Sequence, residues 1–329
     1  MRGGTVTRRR SMYKLRGVGK GGAAFLVLIS VLAIIYLLYI ICVAPSTDPY
    51  ITRMKDKLAA VAYLNEKRAE ANAPPLQLME LNVAKWRAEY IARTGHRSVY
   101  DLEGRHPNYW YTRLDGGLYG AAKEVFVWVR FSNSTSPSEV DVLKAGIDEA
   151  LSEYGGHMLN SCYNYIAIET AHTYEHGWAV LYRVEYYVFW LIARWIDWTS
   201  PPLYQDGRFT AEGYAAPEMK PVALVVHYSP YNGASFIKNT DGITAYNLGD
   251  IIYCKYLDPP AACNNAPMLN GTAVVSKMLD SDNWYVKIDV PVKFDKPGLY
   301  TFEILAQDLR DPSRKCPIMH YTVEVPGEP

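Results

Sequence analysis

Gly155-Gly156-His157-Met158-Leu159-Asn160 separates a helical pattern from a strand pattern, and this position decides how the outer part of the chain folds. Upstream, residues 137–154 carry apolar side chains at helical intervals. Downstream, residues 165–184 contain two short β-type runs separated by a polar turn, which is the layout of a hairpin. The sequence therefore predicts a loop that turns back over a sheet and carries His157, a place where a reactive side chain is useful.

Three more helices are predicted before this turn. Apolar residues recur at helical spacing over residues 51–71 and 81–94, and Gly95 follows the second segment at the position where glycine commonly ends a helix. A third helix is predicted over residues 119–125. Several helices followed by a strand pair predict an α+β domain over residues 45–198, with a layered α/β/α arrangement.

The last third of the chain has the two-residue period of β-strands. Residues 284–292 place five apolar side chains at every second position, and similar runs recur across residues 220–329. Short strands at regular spacing predict an antiparallel sandwich that resembles an immunoglobulin-like module. The aromatic run 187–198 is expected to pack between the two domains; the alternative is that Trp190, Trp195 and Trp198 lie against the membrane surface. Residues 199–219 are predicted to be a linker, because Pro201-Pro202 cannot continue a helix or a central strand.

The N-terminal 44 residues predict a membrane anchor. Seven basic residues lie before residue 21, whereas the first acidic residue is Asp48. Residues 23–44 are uncharged and apolar, long enough for a helix to cross a bilayer of about 30 Å. The basic segment 1–22 would stay in the cytoplasm and the bulk of the chain would be extracellular. A cleaved signal peptide is the alternative, and a mature protein that begins after Ala44 would establish it.

An extracellular location predicts covalent modifications. Cysteines in an oxidising space are expected to form disulfides. Cys42 lies in the predicted membrane helix, and the other four cysteines allow three pairings. With three of the four in the last third of the chain, at least one disulfide is expected there. The candidates are Cys162, Cys254, Cys263 and Cys316. Asn133 and Asn270 each begin an Asn-x-Thr/Ser acceptor pattern for N-glycosylation. No basic face recurs in the folded part, so no nucleic-acid partner is expected.

Four short motifs resemble the cysteine-rich secretory, antigen 5 and pathogenesis-related (CAP) superfamily, in the form found in prokaryotes. They are Leu64-Asn65-Glu66-Lys67-Arg68 with Pro74-Pro75-Leu76-Gln77-Leu78; Arg87-Ala88-Glu89-Tyr90-Ile91-Ala92-Arg93-Thr94-Gly95; Ala121-Ala122-Lys123-Glu124-Val125; and Gly156-His157-Met158-Leu159-Asn160. Their order and spacing cover about residues 55–187. The resemblance implies a three-layer α/β/α domain.

The resemblance also implies a central cleft with two histidines and two acidic residues. Glu124 and His157 match two of these positions, but Val99 occupies the place of the other histidine. A zinc site wants three or four ligands, so the chain departs from the family's full set. The candidates that could complete or border the cleft are His96, His106, Glu153 and Asn160.

A Glu124–His157 pair has two interpretations. As chemistry, the carboxylate would orient the ring and make it a general base. As structure, the contact would tie Glu124's element to the hairpin. No cofactor is assigned, although a divalent metal at His157 is an open alternative.

The leading hypothesis for function is a membrane-anchored extracellular protein with a non-catalytic binding or cell-surface role. One alternative is a hydrolase that uses Glu124 and His157. The other is a surface-layer or adhesion component, because the tyrosines, 27 in all, offer apolar area with a polar tip. The expected partners are the membrane, through residues 23–44, and a cell-surface protein or glycan.

The remaining histidines are predicted to be structural. His172-Thr173-Tyr174-Glu175-His176 fits the H-x-x-E-H pattern of zinc proteases, which requires a helix, but it lies where a hairpin is predicted. His227 and His320 are flanked by strand residues and are expected to be satisfied or exposed strand histidines.

Overall fold

Helices and strands alternate in the first half of the described chain, and strands alone make up the second half. The computed structural model describes residues 49–117, 120–132, 137–176, 181–230, 246–258, 263 and 266–327. Within these ranges the helices are α1 (Pro49–Glu70), α2 (Asn82–Thr94), α3 (Pro107–Asp115) and α4 (Glu139–Met158). The strands are β1 (Gln77–Leu78), β2 (Ala121–Ser132), β3 (Tyr165–His176), β4 (Leu181–Ala193), β5 (Ile196–Gln205), β6 (Arg208–Ala215), β7 (Met219–Ser229), β8 (Asp250–Tyr256), β9 (Thr272–Lys277), β10 (Trp284–Pro291), β11 (Gly298–Asp308) and β12 (Lys315–Val325). The fold is therefore mixed α and β with mostly sheet.

The first sheet is built around β4, whose residues 184–193 are all buried. Its strand order is β1-β3-β4-β2, with β4 antiparallel to both β2 and β3. Only the two-residue β1 is parallel to its neighbour. The predicted hairpin is confirmed, and the H-x-x-E-H sequence lies on its first strand rather than on a helix.

Different helices cover the two faces of this sheet. Apolar residues of α1 and α4 share one buried cluster with Val125 and Val127 of β2. Residues of α2 and α3 share the other cluster with Ala122 and Phe126, which alternate with the first pair along the strand. Gly146 permits the close approach of α4, because a Cβ there would lie 2.2 Å from the ring of Tyr187.

The second half of the chain forms two four-stranded antiparallel sheets. Their orders are β5-β6-β10-β9 and β12-β11-β7-β8. One buried cluster draws side chains from both sheets, including Phe209 and Ile288 from the first and Leu224 and Phe302 from the second. Two sheets that share one core form the predicted antiparallel sandwich.

The sandwich contains two strands that were predicted to be a linker. Residues 199–219 lie largely in β5 and β6, which pair with each other in the first sheet of the sandwich. Pro201-Pro202 is accommodated because β5 is an edge strand, where a missing N–H costs no ladder bond, and the register shifts between Ser200 and Leu203. The linker prediction is therefore wrong.

Two helix predictions also need correction. Residues 121–132 form β2, not the predicted helix over 119–125; both faces of this strand are largely buried, so its apolar run lacks the alternation that marks a half-exposed strand. Helix α4 continues to Met158 through non-helical dihedral angles at Tyr154, so His157 lies in its last turn and not in a loop. Helix α3 was not predicted. The helices over residues 51–71 and 81–94 are confirmed, and Gly95 has the left-handed conformation expected of a C-cap.

Two disulfides resolve the choice among the three pairings. Cys162 is bonded to Cys316, and Cys254 is bonded to Cys263, which confirms a disulfide in the last third of the chain. The first joins the end of the helical half to β12. Asn270 is exposed at the turn before β9, whereas Asn133 lies outside the described residues.

The predicted membrane span, residues 23–44, also lies outside the described residues. Within the part of the chain that is described, no helix combines the length and the apolar character needed to cross a bilayer.

Candidate functional site

Glu124 is paired with an arginine that the sequence did not single out. Arg87 projects from α2 and its Nε donates a hydrogen bond to Glu124 Oε1 at 3.1 Å. The guanidinium also donates to the carbonyl oxygen of Ser98. The two charged side chains are 2% and 0% exposed, so this is a buried ion pair. Burial raises the pKa of Glu124, and the adjacent Arg87 opposes that rise.

His157 lies on the other side of the sheet from this ion pair. Glu124 alternates with Val125, so it shares the face of Ala122 and α2, whereas α4 covers the opposite face. The His157 side chain is half-buried; burial and, secondarily, Lys123 lower its pKa, which favours the neutral ring. The structure therefore does not bring Glu124 and His157 together, and the expected pair is replaced by the Arg87–Glu124 pair.

Val99 fills the position of the missing histidine with apolar packing. Its side chain is 1% exposed and belongs to the cluster that covers the α2 face of the sheet. His96 is buried just after α2, where its backbone N–H donates to Thr94 Oγ1. No group of three or more His, Cys, Asp or Glu side chains within the described ranges is arranged to hold a metal ion.

His106 is fully buried at the start of α3. Burial lowers its pKa to about 3, assisted by the nearby His320, so the ring is neutral. Its ring is nearly parallel to that of Tyr246, with centroids 5.9 Å apart, and its Nε2 lies 3.4 Å from Thr301 Oγ1 on β11. His106 therefore lies against the sandwich, and no hydrogen bond joins it to His157 among the described residues.

The other two cleft candidates differ in role. Glu153 is exposed on α4, and burial together with Glu153 raises the pKa of Tyr154 to about 12. Asn160 is a turn residue: its Oδ1 accepts from the N–H of Cys162 at 2.8 Å, and its carbonyl accepts from Arg68 at 3.1 Å. Neither contacts Glu124 through a hydrogen bond within the described chain.

Arg68 explains why this turn is ordered. Its guanidinium is fully buried and donates to the carbonyl oxygens of Pro74, Met158 and Tyr163 in addition to Asn160. One side chain of α1 therefore holds both the segment after α1 and the end of α4. The backbone that follows His157 is therefore held in place by hydrogen bonds from Arg68.

A second buried polar group lies where the sandwich meets the helical half. Phe302 and Ile304 of β11 lie in the sandwich core. Because side chains alternate between the two faces of a strand, Glu303 between them points away from that core. Its Oε2 lies 3.0 Å from His227 Nε2, and its Oε1 lies 2.9 Å from His320 Nε2. The prediction that both histidines are satisfied strand residues is confirmed, although the sequence did not identify Glu303 as their shared partner.

The hydrogen bonds assign the charge of this group. His227 Nδ1 faces the carbonyl of Gly249 at 3.3 Å, so both ring nitrogens face acceptors, an arrangement that favours the protonated ring. Burial alone would lower the pKa of His227, but Glu303 outweighs it and the pKa is raised. Burial likewise opposes ionisation of Glu303, yet the two histidines lower its pKa to about 2. The result is a largely buried ion pair between His227 and Glu303, whose side chains are each 12% exposed.

His320 extends this ion pair to the first sheet. Its Nδ1 lies 2.9 Å from Asn108 Nδ2 on α3 and 3.1 Å from the backbone nitrogen of Ala122 on β2. The outward face of a sandwich sheet is usually solvated, whereas here α3 and the start of β2 cover it. The cluster of His227, Glu303 and His320 therefore joins the two halves of the described chain.

A surface cleft with aromatic and charged walls lies beside this junction. It has a volume of about 390 Å³ and opens between α3 and the strands β5 and β12. Its lining residues are Tyr109, Thr112, Arg113, Tyr204, Tyr321, Thr322, Val323 and Glu324. Three aromatic rings and two charged groups make this cleft suited to a polar ligand with apolar faces.

No protein-family model matches the sequence, and no curated protein matches it significantly. The resemblance to the CAP superfamily stays a prediction.

Proposed function

We propose that the chain is a membrane-anchored, outward-facing protein whose CAP-like domain and β-sandwich bind a cell-surface partner and do not catalyse a reaction. The observation that carries the proposal is the buried Arg87–Glu124 ion pair. Glu124 is the carboxylate that matches the CAP cleft, and here it is paired with Arg87. The pair lies on the face of the sheet opposite α4 and His157.

The layering supports the CAP-like part of the proposal. Helices α1 and α4 share a core with one face of the first sheet, and α2 and α3 with the other. Asn65 and Arg68, in the first of the resembling motifs, make long-range structural contacts: Asn65 exchanges two hydrogen bonds with the backbone of Leu76. These contacts give the motif a structural role that does not depend on catalysis.

The two disulfides support an extracellular location, because such bonds persist in oxidising compartments. The basic segment and the apolar run 23–44 supply the anchor and its orientation. The mass of the mature protein tests the anchor. A chain that retains residues 23–44 is expected, and a species that begins after Ala44 would contradict it.

An adhesion or surface-layer role is the second candidate, and the aromatic cleft is the observation that favours it. Tyr109, Tyr204 and Tyr321 are half-buried, so part of each ring is accessible. Such rings offer contact area at low entropic cost to a glycan or a neighbouring subunit.

The test compares turnover of the full chain with that of two histidine variants. His157→Ala removes the remaining candidate base. His172→Ala is the matched control, because it replaces a histidine of β3 whose side chain is 45% exposed. With chromogenic esters and fluorogenic peptides as substrates, the three proteins should give the same background rate. A rate that falls tenfold or more in His157→Ala alone would establish the hydrolase alternative.

A further inference from the structure

The cleft between α3 and the sandwich has fixed aromatic walls. Tyr204 Oη donates to the carbonyl of Val292 at 3.0 Å, and its ring packs 5.0 Å from that of Phe294. The Tyr109 hydroxyl is hydrogen-bonded to Glu324. Rings that are already held in place lose little conformational entropy when a ligand binds. The volume of about 390 Å³ lies within the range of about 300–1,000 Å³ typical of small-molecule sites.

An aromatic strip continues from this cleft along the helical half. The ring of Tyr109 meets that of Trp110 edge to face at 5.0 Å, and Trp110 lies 4.2 Å from Trp86. Trp110 is oriented by a hydrogen bond from its Nε1 to Asp101 at 2.9 Å. All three rings are partly accessible. A strip of this kind matches an extended ligand with repeating apolar faces, such as a chain of sugar rings, better than a single compact molecule.

Among the residues that the structure describes, the charges in the cleft leave the Arg113 guanidinium available for a ligand. Glu324 is neutralised by Arg105, whose Nε donates to it at 3.0 Å. Arg113 is exposed at the rim and makes no hydrogen bond or ion pair with the residues that the structure describes. A guanidinium binds a carboxylate through two parallel hydrogen bonds. The cleft is therefore electrostatically complementary to an anion.

We propose that this cleft binds an acidic oligosaccharide, with sugar rings against Tyr204 and Tyr321 and a carboxylate at Arg113. A pyranose ring has an apolar C–H face and a rim of hydroxyl groups, which matches a tyrosine wall with polar neighbours. The proposal rests on the proposed binding function and names its ligand class. It predicts that the sandwich and α3 share one site, which neither half contains alone.

Binding of trigalacturonate to the full chain in detergent micelles tests the proposal by calorimetry. The wild-type chain is expected to bind it, and Arg113→Gln should weaken binding by about tenfold to a hundredfold, the range for a hydrogen bond to a charged group. Arg208→Gln is the matched control: it removes an exposed arginine of β6 that is paired with Asp289. Arg113→Glu should abolish binding through charge repulsion.

The neutral and sulfated probes separate charge from stacking. Maltotriose should bind more weakly than trigalacturonate, and a sulfated trisaccharide should not exceed it, because planar carboxylates suit the guanidinium best. Equal binding of trigalacturonate to wild type and Arg113→Gln, equal binding of maltotriose and trigalacturonate to wild type, or absence of trigalacturonate binding would each overturn the proposal. None of these outcomes alters turnover, so failure here is distinguishable from a hydrolase that depends on His157.

Discussion

Replacing Arg87 with methionine should destabilise the protein by about 3–5 kcal/mol at neutral pH, because it leaves the carboxylate of Glu124 buried without its counter-charge. Glu124→Gln should cost a similar amount by isolating the guanidinium. The double variant Arg87→Met/Glu124→Leu should recover most of the loss. Arg87 Nη1 and Glu124 Oε2 have no hydrogen-bond partners among the described residues. Replacing the whole pair with apolar side chains should therefore lower the free energy of unfolding only slightly.

The pH dependence distinguishes the two single variants. The pKa of Glu124 is already raised above its ordinary value of 4.5, and the loss of Arg87 raises it further. A carboxyl group whose pKa is raised in the folded state stabilises the protein below pH 4.5, the ordinary value, and this stabilisation is lost as the pH rises through the folded-state pKa. The deficit of Arg87→Met should therefore shrink as the pH falls toward 4.5, whereas that of Glu124→Gln should persist.

Urea unfolding followed by circular dichroism from pH 4.5 to 8 measures these differences. The matched control is Arg208→Met, which breaks an ion pair whose side chains are 51% and 40% exposed and should cost less than about 1 kcal/mol. An Arg87→Met variant that loses no more than the control, or whose loss is independent of pH, would refute the buried-pair assignment.

Two further predictions concern the junction between the halves. The lowered pKa of Glu303 stabilises the folded protein above pH 4.5, the ordinary pKa of a glutamate, and this stabilisation is lost as the pH falls toward about 2. The raised pKa of His227 stabilises the folded protein below pH 6.5, and this stabilisation is lost as the pH rises through the raised value. Glu303→Gln should flatten both limbs of the stability profile in urea unfolding, unlike Glu89→Gln, which replaces an exposed glutamate of α2. An unchanged profile in Glu303→Gln would contradict this. Replacing Cys162 and Cys316 with serine should lower the free energy of unfolding by about 5 kcal/mol, because this disulfide spans 154 residues. The same replacement of Cys254 and Cys263, which are nine residues apart, should lower it by about 2.5 kcal/mol. Equal melting temperatures for the two variants would contradict the loop-entropy reasoning.

The helices could be predicted from the sequence where their signals are local. Residues 51–71 and 81–94 have helical periodicity and an ending residue nearby, and both helices are present. Helix α2 is nevertheless capped from a distance. The carboxylate of Asp115 accepts from the N–H groups of Asn82 and Val83 at 3.0 and 2.9 Å, a contact that no local pattern can reveal.

The errors came from patterns that two structures share. Residues 121–127 are largely buried on both faces, and such a run has the same apolar content in a strand as in a helix. Pro201-Pro202 excludes a central strand but permits an edge strand, and strand order is a property of the whole fold.

The candidate site was predictable only as single residues. His157 and Glu124 were found because short motifs point to them, but the face of the sheet that each occupies depends on strand register. The Glu303 cluster was missed for the same reason, since Glu303 and His227 are far apart in sequence and meet on adjacent strands. The sequence signal that could have revealed the cluster was the polar residues that alternate with apolar ones on β7, β11 and β12 and point away from the sandwich core.

Zinc-edge anomalous diffraction from crystals soaked in zinc chloride tests the central claim most directly, because it locates any metal at the family cleft without assuming an activity. The account predicts no anomalous peak within about 2.0–2.3 Å of Glu124 or His157, and Arg87 still bound to Glu124. A zinc ion coordinated by both Glu124 and His157 would contradict it.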